Sequence, residues 1–118
     1  MKNEWLDIGD LITAEDQRLL QIRHIKMKKK ARNIASHIVK IHKNVNVYLF
    51  GSLTKKRPFK CSDIDLMISG DLSESAKKRV VIEAEEMAMP YLIHIMFADE
   101  VSDKMRSIIT EERGLKLS

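Results

Sequence analysis

Fifteen residues, Gly51-Ser52-Leu53-Thr54-Lys55-Lys56-Arg57-Pro58-Phe59-Lys60-Cys61-Ser62-Asp63-Ile64-Asp65, gather side chains suited to phosphate chemistry. Glycine lets a backbone approach a ligand closely. The amides of Gly51 and Ser52, leading into a short helix, present N–H donors to phosphate oxygens, and the Ser52 hydroxyl adds a further contact. Asp63 and Asp65 lie two apart, so on a strand they project to one side. Both carboxylates there reach one hard cation such as magnesium, with water and phosphate oxygens filling its other positions. Without a cation between them, two such acids repel. A phosphate cradle, an acidic pair and lysines to offset developing charge together point to phosphoryl or nucleotidyl transfer. Singly, each part is an ordinary turn or an ordinary surface strand; the inference rests on their joint spacing in a strand, turn, strand context.

The elements that must hold these residues follow from periodicity and punctuation. Thr13 to Asp16 reads as a capped helix start, and apolar residues recur at helical spacing through Leu19, Leu20, Ile25, Ala31, Ile34, Ile38 and Ile41, giving one long helix or two in tandem over 13–43. Val45 to Phe50, rich in β-branched and aromatic residues, is a buried strand that Gly51 and Ser52 break. A second strand spans Asp63 to Ile68, with both aspartates on one face and Ile64, Leu66 and Ile68 on the other. Asp71 or Ser73 caps a helix carrying Val80, Val81, Ala84, Met87 and Ala88, which Pro90 ends. Tyr91 to Phe97 forms a third strand. A last helix, from about Asp99 to Arg113, stops at Gly114 as a left-handed cap. The order α, β, β, α, β, α makes an α+β fold, an α/β sandwich with a small mixed sheet.

Composition sets the bounds. A chain of 118 residues with 44% hydrophobic content, four glycines and two prolines suits one packed domain without staples. The single cysteine, Cys61, cannot form an internal disulfide, and no leader or long apolar run stands near the N-terminus; a reducing cytoplasm is the expected compartment, with no membrane partner. The net charge of +4 is unevenly spread, since residues 17–62 hold thirteen Lys or Arg and no acid. Such a block attracts a polyanion, or forms a solvated helix face. His24, His37 and His42 on the long helix are not spaced as a tight metal set and are expected at the surface or facing a partner.

Gly51-Ser52, then ten residues, then Asp63-Ile64-Asp65-Leu66, resembles the signature of the DNA polymerase beta-like nucleotidyltransferase superfamily. Within it the chain is most similar to the minimal nucleotidyltransferases, single-domain proteins paired with HEPN-domain partners in toxin and antitoxin systems. Ser62 and the ending Ile108 to Leu117 share in the likeness. The resemblance implies a polymerase beta palm-like fold over 21–118, with 1–20 as an N-terminal extension. It also implies a magnesium-dependent transfer of a nucleoside monophosphate, AMP from ATP, to a hydroxyl of a protein or small molecule. By the same likeness Asp63 and Asp65 hold metal, Gly51 and Ser52 bind the triphosphate, and Lys55 contacts phosphate. Lys56 departs from the glycine common there. The third carboxylate of the family falls at His94, an imidazole that can ligate a metal or take a proton but brings no negative charge. Asp99 lies five residues on and faces the other side while the strand lasts.

Three function classes follow. The first is an enzyme that labels a partner and silences a toxin. The second is an inactive relative that binds a partner or nucleotide, motivated by His94. The third, ranked last, is a nucleic-acid binder: aromatic content is 5% and no aromatic residue interleaves with Lys28 to Arg32, so base stacking has little to work with. A partner protein or a homodimer is expected to complete the acceptor site.

Overall fold

A computed structural model describes residues 13–54 and 63–118. In chain order these form α1 (Ala14–Ile41), β1 (Asn46–Phe50), a 3-10 turn (Gly51–Thr54), β2 (Ile64–Ser69), α2 (Glu74–Ala88), β3 (Ile93–Phe97), a second 3-10 turn (Ala98–Glu100), α3 (Asp103–Ser107), a π-helical turn (Ile108–Arg113) and β4 (Leu115–Lys116). The class is α+β, as the sequence order implied.

Helix α1 is one unbroken helix rather than two. At its start the Asp16 amide donates to Thr13 Oγ1 at 3.1 Å while the Thr13 amide donates to the Asp16 carboxylate, a reciprocal box that satisfies two otherwise orphan donors. Met27, Ala31, Ile34, Ala35 and Ile38 form its buried stripe. The apolar pattern is longer than the stripe it serves: Leu19, Ile22 and Ile25 stay exposed on the first half of the helix. Ser73, rather than Asp71, caps α2, its Oγ accepting from the Ala76 amide. Helix α2 ends at Ala88, before Pro90.

The sheet order is β3-β2-β1-β4. β1 pairs antiparallel with β2 and β4, whereas β2 and β3 run parallel and are joined through α2, the connection a parallel pair requires. Val47 and Leu49 of β1 and Ile64, Leu66 and Ile68 of β2 point toward the helices and share one core with the α1 stripe and with Val80, Ala84 and Ala88 of α2. Each Val, Leu, Ile or Met side chain among these contributes about 1.5–3 kcal/mol on burial. The other face is only partly covered, by Ala98, Val101 and Ile109 against Met67, Tyr48 and Phe50. Lys30 and His37 tie the two helices together. Lys30 Nζ donates to the Met87 and Met89 carbonyls, and His37 Nε2 lies 2.8 Å from Glu83 Oε1, so His37 faces α2 rather than an open surface.

The C-terminal segment differs most from expectation. Instead of one helix from Asp99, the chain makes a 3-10 turn and restarts at Ser102, whose Oγ accepts from the Met105 amide. Lys77, buried on α2, holds the Asp99 and Glu100 carboxylates at 3.0 and 2.8 Å and so pulls that turn away from helical continuation. The third strand starts at Ile93 rather than Tyr91, because the Tyr91 amide closes a turn on the Ala88 carbonyl. Gly114 is not a left-handed cap, since its φ is −87°. It is needed for space: a Cβ there would strike the Ile109 carbonyl. Past Gly114 the chain adds β4, a strand the sequence reading did not foresee.

Leu53, fully buried in the main core, anchors the 3-10 turn that follows β1. Leu53→Ala is expected to lower unfolding free energy by about 2–5 kcal/mol, read from urea titration as a fall in midpoint with an unchanged slope.

Candidate active site

Strand register builds the site. Phe50 of β1 pairs with Asp65 of β2, and Asp65 with His94 of β3, so these three residues form a row across the sheet on the face away from α1 and α2. Gly51 follows Phe50 at one end of that row, and Asp63 directly precedes β2. The row lies on the thinly covered face, which leaves it open to a ligand. His94 has a side chain 66% exposed, while that of Asp65 is 23% exposed, so the carboxylate is sheltered and the imidazole faces solvent.

Gly51 is bound to this arrangement by two constraints. Its φ of 78° lies in the left-handed region that only glycine enters without strain, and a Cβ there would collide with Asp65 Oδ2. The turn is therefore seated against the carboxylate. Thr54 Oγ1 donates to the Gly51 carbonyl at 2.7 Å and Leu53 fixes the turn from below, so its geometry is set before any ligand arrives.

Burial raises the Asp65 carboxyl above the ordinary carboxylate range; the facing His94 opposes that rise, and the charge of Asp63 adds to it. His94 Nδ1 stands 3.7 Å from Asp65 Oδ1, close enough for electrostatic interaction but too far for a hydrogen bond. An acid whose ionised form is penalised by burial and by a second carboxylate would be relieved by a cation beside both. Among the described residues no group of three or more His, Cys, Asp or Glu could hold a metal ion. A hard divalent cation held by two carboxylates alone would take its remaining ligands from water or from a substrate's oxygens.

The structure brings together Gly51, Asp65 and His94, with Asp63 adjoining. Asp99 lies past the far end of β3, engaged by Lys77, and takes no part. Ser52 belongs to the turn, though its side chain, like Lys55, Lys56 and Ser62, lies outside the described residues. Sequence reasoning missed Leu53 as the anchor of the turn; its signal was a lone apolar residue between two polar ones.

The family model described as nucleotidyltransferase domain matches residues 15–117. The chain belongs to the nucleotidyltransferase domain family. Several solved structures share this nucleotidyltransferase fold. A toxin-antitoxin complex solved with AMP-PNP is similar at 20% identity, covering 74% of this chain and 72% of that one, with a TM-score of 0.56. The toxin-antitoxin pair MntA-HepT is similar at 19% identity over 75% and 69%, with a TM-score of 0.51. Such identities speak for fold alone. No curated protein matches the chain significantly.

Two outcomes test this geometry. Gly51→Ala is expected to destabilise by about 1–3 kcal/mol from backbone strain, more if the methyl displaces Asp65, as read by chemical denaturation. For Asp65 the folded chain binds the proton more tightly than the unfolded chain. Its contribution to stability is therefore full at low pH and declines as pH rises through the ordinary carboxylate range to the raised value. Asp65→Asn removes that decline. In metal-free melts from acid to neutral pH, the variant should gain on the wild type, and millimolar magnesium should stabilise only the wild type.

Proposed function

We propose that the chain is a minimal nucleotidyltransferase that moves a nucleoside monophosphate, AMP from ATP, to a hydroxyl of a protein or small molecule. We take its acceptor or partner to be a HEPN-type protein in a toxin-antitoxin pair. The observation that carries the reading is the glycine turn seated against the sheltered Asp65 in a chain of this family. The similarity to the MntA-HepT fold supports the choice of partner class.

In this reading the Gly51 and Ser52 amides hold the triphosphate, Lys55 contacts a phosphate, and Asp63 and Asp65 hold magnesium. The metal, when bound, offsets charge on the triphosphate as it develops. The acceptor oxygen bonds to the α-phosphorus, the bond from that phosphorus to the bridging oxygen breaks, and pyrophosphate leaves. His94, open to solvent beside Asp65, takes the hydroxyl proton. The exposed Leu19, Ile22 and Ile25 of α1 offer a surface on which a partner or a second copy would seat. Residues 1–20 would act as an extension outside the transfer domain. No helix among the described residues is long and apolar enough to cross a membrane.

A second reading is favoured by one observation: the position paired with Asp65 holds His94 rather than a third acid. The chain would then bind nucleotide or partner without turnover.

Transfer of α-labelled AMP to a co-expressed HEPN-type partner decides between them. Asp63→Ala with Asp65→Ala should reduce transfer at least about 100-fold, the scale of several kcal/mol of lost charge stabilisation. Full transfer by that variant would contradict the site, and no transfer with any divalent metal, alongside an intact complex, would favour the binding reading. If His94 is the base, His94→Ala lowers transfer by about 100-fold or more while nucleotide binding persists.

A further inference from the structure

Away from the transfer site, the same fold assembles a cationic pocket on its helical side. Lys26, Lys29, Lys30 and Asn33 of α1, with Met87 and Tyr91, line a cavity of about 380 Å³ that has no carboxylate in its wall. The Arg23 guanidinium stands over the Tyr91 ring, 5.0 Å from its centre. Its Nε is buried and has no hydrogen-bond partner among the described residues. Lys30 spans the cavity floor to the Met87 and Met89 carbonyls at 3.0 and 2.6 Å, which fixes the Tyr91 segment against α1.

The geometry points to a site for single-stranded nucleic acid, held by phosphates on Arg23, Lys26 and Lys29 with a base against the Arg23–Tyr91 stack. Charge comes first. Residues 17–62 contain no acid; Glu15 pairs with Arg18, Asp16 with the Thr13 cap and Glu83 with His37, while Glu85 and Glu86 of α2 are exposed and outside the pocket wall. The wall itself is therefore net positive, as a polyanion site requires. Spacing comes second: Arg23 to Lys29 spans roughly 9 Å at 1.5 Å per residue, a reach that suits successive phosphates better than one. The third argument is the aromatic ring. A guanidinium held over Tyr91 sets a cation beside an aromatic side chain, a pairing that a nucleic-acid base can engage and an acidic peptide cannot exploit. The aromatic residue that the lysine-rich sequence lacks is thus supplied by tertiary structure, from a segment far along the chain.

This pocket is separate from the transfer row. Tyr91 packs with Ile93 and Ile95 on the core side of β3, whereas His94 pairs with Asp65 on the other side. The inference therefore stands or falls independently of nucleotidyl transfer.

Fluorescence anisotropy of the full chain with a labelled single strand of about ten nucleotides, within the usual site size, tests it in the absence of ATP. With three phosphates engaged, log affinity against log salt should have a slope of about −2, a loss of roughly 20-fold between about 50 and 200 mM salt. Lys26→Ala with Lys29→Ala, both at exposed positions, should reduce the slope by about 1.4 and weaken binding at low salt at least about tenfold, with the far-ultraviolet circular dichroism and melting of the chain retained. Absence of binding at low salt, an unchanged slope in the double variant, or equal competition by an oligoglutamate peptide or by free AMP would each overturn the proposal.

Discussion

The contact between a glycine turn and a sheltered carboxylate governs this molecule. Asp65 sits mid-sheet with most of its side chain out of water, and the turn after β1 closes on it so tightly that no side chain fits at position 51. An acid in that setting resists ionisation, and a neighbouring acid at Asp63 increases the resistance. The fold thereby holds a place where a cation would gain more than at an open surface. The same closeness sets the backbone of the turn beside the carboxylate, as the proposed binding of a phosphate chain requires.

The rest of the structure keeps that contact in register. Pairing of β1 with β2 aligns Phe50 with Asp65, and one residue of slip would turn Asp65 into the hydrophobic core. The buried alternation of Val47, Leu49, Ile64, Leu66 and Ile68 under α1 and α2 prevents it. Lys77 performs a similar service at the opposite end of β3, drawing Asp99 and Glu100 together and fixing where the strand ends. The two carboxylates are more than half exposed although Lys77 is buried, so the value of the contact lies in positioning rather than in strength.

Much of this was legible in the sequence, for physical reasons that also mark where it stopped. The cap at Thr13, the break at Gly51, the outward placing of Asp65 and the stop before Pro90 are local effects, and local chemistry decides them. Where distant residues decide, the reading failed. Helical spacing from Asp99 to Arg113 gave no hint that Lys77 would hold the segment open, or that Ser102 would restart it. Gly114 carried the signature of a cap yet serves a steric need set by Ile109. Leu19 and Ile25 matched a helical pattern but have no core to meet, because periodicity reports a face and not what covers it. Tyr91 could not be assigned to the basic block from sequence order at all, since α1 and the end of α2 meet only in the fold. Lys55 and Ser62 fall outside the described residues, so their proposed roles rest on resemblance.

Carbon-13 NMR titration of the Asp65 carboxyl, metal-free and then with magnesium and a non-hydrolysable ATP analogue, addresses the central claim most directly. The account predicts a midpoint above the ordinary carboxylate range without metal and a move well below it once magnesium and nucleotide are added together. A midpoint in the ordinary range that ignores both additions would contradict it.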